Sequence, residues 1–172
     1  MNMQNKKKLL LLSLIQFVLL LALIGNIMYF KQSAETFKIE SKSLDPIEPL
    51  LGHYASLTYS FDTINMKDWQ GKSEPKDGKA AYIVFKEDHQ NGIYVFNYAS
   101  DHRPTHAKYI KATIQYSYDD GEDGKKIVLN HNLSRFYIPE RQMDKFNNES
   151  DFIVTVQQKG DRSIVKSVDL PH

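Results

Sequence analysis

No cysteine occurs among the 172 residues. That excludes disulfide stapling, an iron–sulfur cluster, a thiolate zinc site and a cysteine nucleophile, and with the last it excludes sortase-like transpeptidation. The eight glycines are scattered along the chain and never gather into a loop that could cradle a phosphate. Charge of one sign is also scarce. All 21 Asp and Glu, and all but three of the 22 Lys and Arg, lie after residue 30, giving that part a net charge of −2 with His neutral. There is no basic stripe of the kind that grips a phosphate backbone, so no nucleic-acid partner is expected.

What the chain does have is one long apolar run. Residues 9–30 carry no charge, and fifteen of them are Leu, Ile, Val or Phe. As a helix the run is about 33 Å long, enough for a hydrocarbon core of about 30 Å. The transfer free energy of those fifteen side chains outweighs the cost of Ser13, Gln16 and Asn26. Lys6, Lys7 and Lys8 precede the run and only Lys31 follows it closely, so the bias of basic residues keeps the N-terminus cytoplasmic. A cleaved signal peptide would need a shorter apolar region and small residues before the cut. Ser33-Ala34 is a poor site of that kind, and a retained signal-anchor is expected. The chain then divides into a basic tail (1–8), a transmembrane helix (9–30), an extracytoplasmic stalk (31–51) and a domain (52–172). The expected location is the cell membrane, spanned once, with the C-terminal domain outside.

The stalk reading rests on polarity and on Pro46 and Pro49, which stop a helix from continuing out of the membrane. Beyond it the period becomes two. Ala55, Leu57, Tyr59 and Phe61 alternate with Tyr54, Ser56, Thr58 and Ser60, the pattern of a strand with one buried face. Residues 81–86 and 93–99 are rich in β-branched and aromatic side chains, with Asn91-Gly92 between them as a hairpin signal. From Tyr109 to Tyr118, Ile110, Ala112, Ile114, Tyr116 and Tyr118 share one side. Residues 127–129, 133–138, 152–157 and 163–168 complete the series, the last two flanking Lys159-Gly160-Asp161. The expected fold is all-β after one transmembrane helix: an antiparallel sandwich or small barrel of about eight short strands. About 120 residues suffice for one core without staples.

Signals for chemistry are thin. Ser-x-x-Lys occurs at Ser73–Lys76, where Pro75 opposes the helical turn the motif needs, and at Ser163–Lys166, where a strand would turn the two residues to opposite faces. Ser41 and Ser43 stand where an anchored Ser/Lys peptidase would carry its serine, but no matching lysine strand follows. Asp101, His102 and His106 could be read as metal ligands, but the i, i+4 spacing of the histidines suits a helix, which Pro104 opposes, and a polar loop is expected. The acidic turn Asp119–Asp123 lacks the alternating oxygens and terminal Glu of a calcium loop. No catalytic residue, metal site or cofactor is expected.

One string is distinctive. Gly52-His53-Tyr54-Ala55-Ser56-Leu57-Thr58-Tyr59 resembles the signature of the GDYXXLXY family of small membrane-anchored bacterial proteins. Gly52, Tyr54, Leu57 and Tyr59 match, and His53 replaces the family's Asp. Arg135-Phe136-Tyr137-Ile138-Pro139-Glu140 resembles the family's second motif, which makes Arg135, Tyr137, Pro139 and Glu140 further motif positions. The resemblance implies an architecture and no particular activity; it also implies an integral-membrane partner. In a strand, Arg135 and Tyr137 would share the solvent side and Phe136 and Ile138 the core side. An Arg beside an aromatic combines planar hydrogen bonding with contact area, so Arg135, Tyr137 and Glu140 are the candidate partner-binding residues. Two functions remain in view: a noncatalytic binding or accessory module for an envelope or membrane partner, which the absent nucleophile favours, and a cell-envelope hydrolase with a Ser or His/carboxylate site in the 100–108 loop.

Overall fold

The computed structural model describes residues 3–47, 54–121, 124–137 and 151–170. It divides into two units, Met1–Ala34 and Glu35–His172. The first is a single helix, α1 (Met3–Ser33), which outruns the apolar run at both ends because Lys6–Lys8 and Lys31 are good helix formers. Apolar side chains ring its whole circumference, as suits a helix surrounded by hydrocarbon rather than one lying on a core. It is long and apolar enough to cross a membrane.

The second unit is all-β. Its strands are β1 (Glu35–Ser41), β2 (Ser43–Ile47), β3 (Tyr54–Thr58), β4 (Thr63–Asn65), β5 (Ala80–Asp88), β6 (Ile93–Ser100), β7 (Lys108–Asp119), β8 (Lys125–Asn130), β9 (Arg135–Tyr137), β10 (Phe152–Lys159) and β11 (Arg162–Asp169). Every ladder between them is antiparallel. The orders are β1-β10-β11, β2-β3-β9 and β4-β8-β7-β5-β6. β1 runs beside β6, where the Phe37 ring meets Tyr94 edge-on at 5.5 Å and Phe85 at 5.7 Å, so the sheets curl around one core. Leu57, Phe61, Ile83, Ile110, Ile114, Ile127, Leu133, Val154 and Val156 fill it, each worth about 1.5–3 kcal/mol when fully buried.

Two sequence expectations need correction. The stalk is not a stalk over residues 35–47, which form β1 and β2. Phe37 and Ile39 alternate inward along β1, and the polar residues between them face water. Pro46 is accommodated because β2 is an edge strand, where a missing N–H costs no ladder bond on the open side. Of the other stalk residues, 31–33 continue α1 and 48–51 lie outside the described residues. The second correction concerns β7. A register shift between Ile114 and Tyr116 leaves Gln115 unopposed, and such a bulge reverses the inside–outside alternation. Ile110, Ala112 and Ile114 face the core as expected, whereas Tyr116 and Tyr118 stand in solvent at 47% and 39% exposure.

Candidate functional site

The two motifs, almost eighty residues apart in sequence, lie on neighbouring strands. β3 pairs with β9 in the register Tyr54↔Tyr137, Ala55↔Phe136 and Ser56↔Arg135. The Leu57 amide extends the ladder to the Ser134 carbonyl at 2.9 Å. Leu57 is buried in the core. Tyr59 is buried too, and its hydroxyl donates to the Leu133 carbonyl at 3.0 Å, which fixes the chain where it enters β9. On β9, Phe136 packs against the core, Arg135 is exposed and Tyr137 is 55% exposed. Gly52, His53, Pro139 and Glu140 lie outside the described residues; of Tyr54, the backbone pairing is what places it.

Beneath this junction is a cluster that the sequence did not announce. His131 Nε2 lies 2.7 Å from Asp62 Oδ1, and Asp62 Oδ2 accepts the Tyr59 amide at 2.8 Å. The Leu133 amide donates to His131 Nδ1 at 3.3 Å, so Nδ1 carries the lone pair and Nε2 the proton shared with Asp62. The imidazole packs against Tyr59 and Phe61, centroids 5.4 and 5.3 Å away, and its side chain is 2% exposed. Burial, reinforced by the Asp62 charge, pushes the Tyr59 phenol far above its usual range and keeps it a neutral donor. Both ring nitrogens of His131 are therefore occupied. The cluster joins structure and offers no base to a substrate.

A second group brings together the two loops that follow β4 and β6. Asp101 accepts the amides of Lys72 and Ser73 at 3.1 and 3.0 Å and bonds His102 Nδ1. Desolvation opposes the Asp101 charge, but the His102 bond and those amides outweigh it and hold the carboxyl at about 2. Trp69 donates to the Ser73 carbonyl at 2.8 Å with its ring over Gly71. Among the described residues no hydroxyl bonds the outer nitrogen of His102, and no three His, Asp or Glu side chains gather to hold a metal. Ser41 is buried and bonded to the Thr58 carbonyl, Ser73 uses its amide on Asp101, and Ser163 is buried in β11 while Lys166 is exposed.

The third group lies between β7 and the β10–β11 turn. Gly160, at φ 58°, allows that two-residue turn, and Asp161 beside it meets Lys111 Nζ at 2.9 Å and Arg103 Nε at 3.8 Å. The Arg103 guanidinium lies over the Tyr109 ring, 5.4 Å from its centroid. An open groove of about 360 Å³ runs along this edge, lined by Lys111, Thr113, Asn130, Asn132 and Asp161 among others.

The model for the GDYXXLXY protein family matches residues 16–166, and the chain belongs to that family. No curated protein and no solved structure matches it.

Proposed function

We propose that this GDYXXLXY-family protein is a single-pass, signal-anchored membrane protein whose β domain is extracytoplasmic and acts as a binding or accessory module for an envelope or integral-membrane partner. The observation that carries the reading is the outer side of β9. Arg135 and the half-exposed Tyr137 stand outward on a strand whose position is over-determined from within by β3, Tyr59 and His131. Binding groups carried on a rigid scaffold keep their geometry without an ordering cost on association. The apolar α1 supports membrane attachment, and Lys6–Lys8 support a cytoplasmic N-terminus.

The experiment is affinity purification of the tagged full chain from solubilised membranes, with Arg135→Ala and Tyr137→Ala as variants. Loss of a co-purifying membrane protein in both variants, with melting within a few degrees of the parent, is the expected result. Co-purification unchanged in both variants would sink the reading. Protease added to intact protoplasts should remove the β domain; full protection would overturn the orientation.

The Asp101–His102 pair is the one observation that favours a hydrolase instead, since a carboxylate orients an exposed imidazole there. A hydrolase of this kind would lose turnover of an ester substrate in His102→Ala.

A further inference from the structure

The outward face of β7 changes character along its length. At its start stand Lys111 and Thr113, the latter paired with Asn130 of β8, and these three line the polar groove. After the bulge come Tyr116 and Tyr118, paired with Val128 and Lys126, with ring centroids 6.1 Å apart and planes tilted by 42°. At a rise of about 3.3 Å per residue, Lys111 to Tyr118 covers about 23 Å. Without the bulge, both tyrosines would follow Ile114 into the core. The irregularity turns an aromatic pair outward in line with a groove of amide, hydroxyl, ammonium and carboxylate groups, and bulges recur where a side chain must be re-aimed for function.

We propose that this face, from the Lys111–Asn130 groove to the Tyr116–Tyr118 pair, is a binding strip for an uncharged oligosaccharide. Three features select that class. The two lysines on the strip are each met by a carboxylate, Lys111 by Asp161 and Lys126 by Asp120, so neither offers a polyanion an uncompensated ammonium. The groove lining combines ammonium, hydroxyl, amide and carboxylate groups, a mix of donors and acceptors that suits neighbouring sugar hydroxyls. Residues 108–113 of β7 are laddered to β5, and Thr113 to β8, so the groove half recognises its ligand through side chains and not by adding a peptide strand. The tyrosines provide apolar ring faces with a polar tip, the combination that accepts the C–H face of a sugar and one of its hydroxyls. The strip belongs to a different sheet from β9, so it stands or falls separately from the partner-binding reading.

The test uses the full chain in lipid nanodiscs, free of sugar-headed detergent, titrated calorimetrically with hexasaccharides of glucose and of N-acetylglucosamine. Saturable binding of at least one is expected, insensitive to salt between about 50 and 300 mM. The Tyr116→Ala/Tyr118→Ala variant should weaken it at least tenfold, and Asn130→Ala, at the other end, severalfold, with circular dichroism and melting unchanged. Absence of binding to both hexasaccharides overturns the proposal. Binding that survives both variants, or that falls steeply with salt, overturns it as well. So does tyrosine-dependent binding of an extended peptide where the sugars fail.

Discussion

Among its described residues the β domain holds two Asp–His pairs, and they share little beyond their chemistry. Asp62–His131 joins residues 69 apart in sequence, with the imidazole 2% exposed; Asp101–His102 joins neighbours, with the imidazole 55% exposed. In the buried pair every polar atom of the ring has a partner, and the surrounding rings exclude water, so losing either member strands the other. In the exposed pair, solvent can replace whichever partner is removed. Identical side chains at hydrogen-bond distance thus make an internal joint in one place and a surface clasp in the other.

The sharpest way to break the comparison is His131→Ala. It leaves Asp62 Oδ1 and the Leu133 amide without their partners and opens a cavity, for an expected loss of about 3 kcal/mol in urea unfolding of the full chain in nanodiscs. Amide exchange at Leu133 should quicken locally as well. A loss under about 1 kcal/mol would place the joint elsewhere.

Tyr59→Phe removes only the hydroxyl and leaves the Leu133 carbonyl unpaired. About 1–2 kcal/mol is expected, read from the same unfolding curve. A neutral substitution would show that β9 holds its place without Tyr59.

On the exposed side, Gly71→Ala would put a methyl 2.6 Å from the Trp69 ring. The indole can swing outward at a cost of about 1 kcal/mol, with a red-shifted emission as it enters water. An unshifted spectrum would mean that the ring does not rest on Gly71.

Asp101→Asn should have the smallest effect, visible in pH dependence more than in size. The folded-state carboxyl sits at about 2, below its usual value of 3.8. Its contribution is therefore complete above about pH 4 and disappears as pH falls toward 2. The difference in melting temperature between parent and variant should shrink across that window. A difference that persists at pH 2 would mean that the carboxylate charge is not what the loop uses.

The sequence exposed this fold unevenly, for physical reasons. Strands with one buried face wrote themselves as alternation, and Asn91-Gly92 marked its hairpin because the four-residue turn there needs a positive φ, which Gly92 adopts at 64°. β1 was obscured because its seven residues include only two large apolar ones and stand between an anchor and a proline pair. The bulge at Gln115 leaves no local sign, since Tyr116 and Tyr118 fit the inward period as well as the outward one. Neither Asp62 nor His131 belongs to any spacing pattern; what joins them is the pairing of β4 with β8, extended by the Leu129 amide on the Asp62 carbonyl, a tertiary event. The resemblance carried by Gly52–Tyr59 pointed to the right family, and the pairing of its two motifs became visible only in three dimensions.

The pairing of β1 with β10 also has a consequence in time. Glu35 sits opposite Gln158 and Ser41 opposite Phe152, so the first strand of the domain waits for nearly the last. Closing a loop of more than a hundred residues is entropically slow, and contacts this non-local delay folding. In a chain synthesised from its N-terminus, β1 emerges with Phe37 and Ile39 uncovered and both of its edges open. Until residues 152–158 arrive it is a sticky ribbon in need of shelter from other chains. Maturation of this protein is thus a race between the arrival of its C-terminal hairpin and aggregation through its first strand.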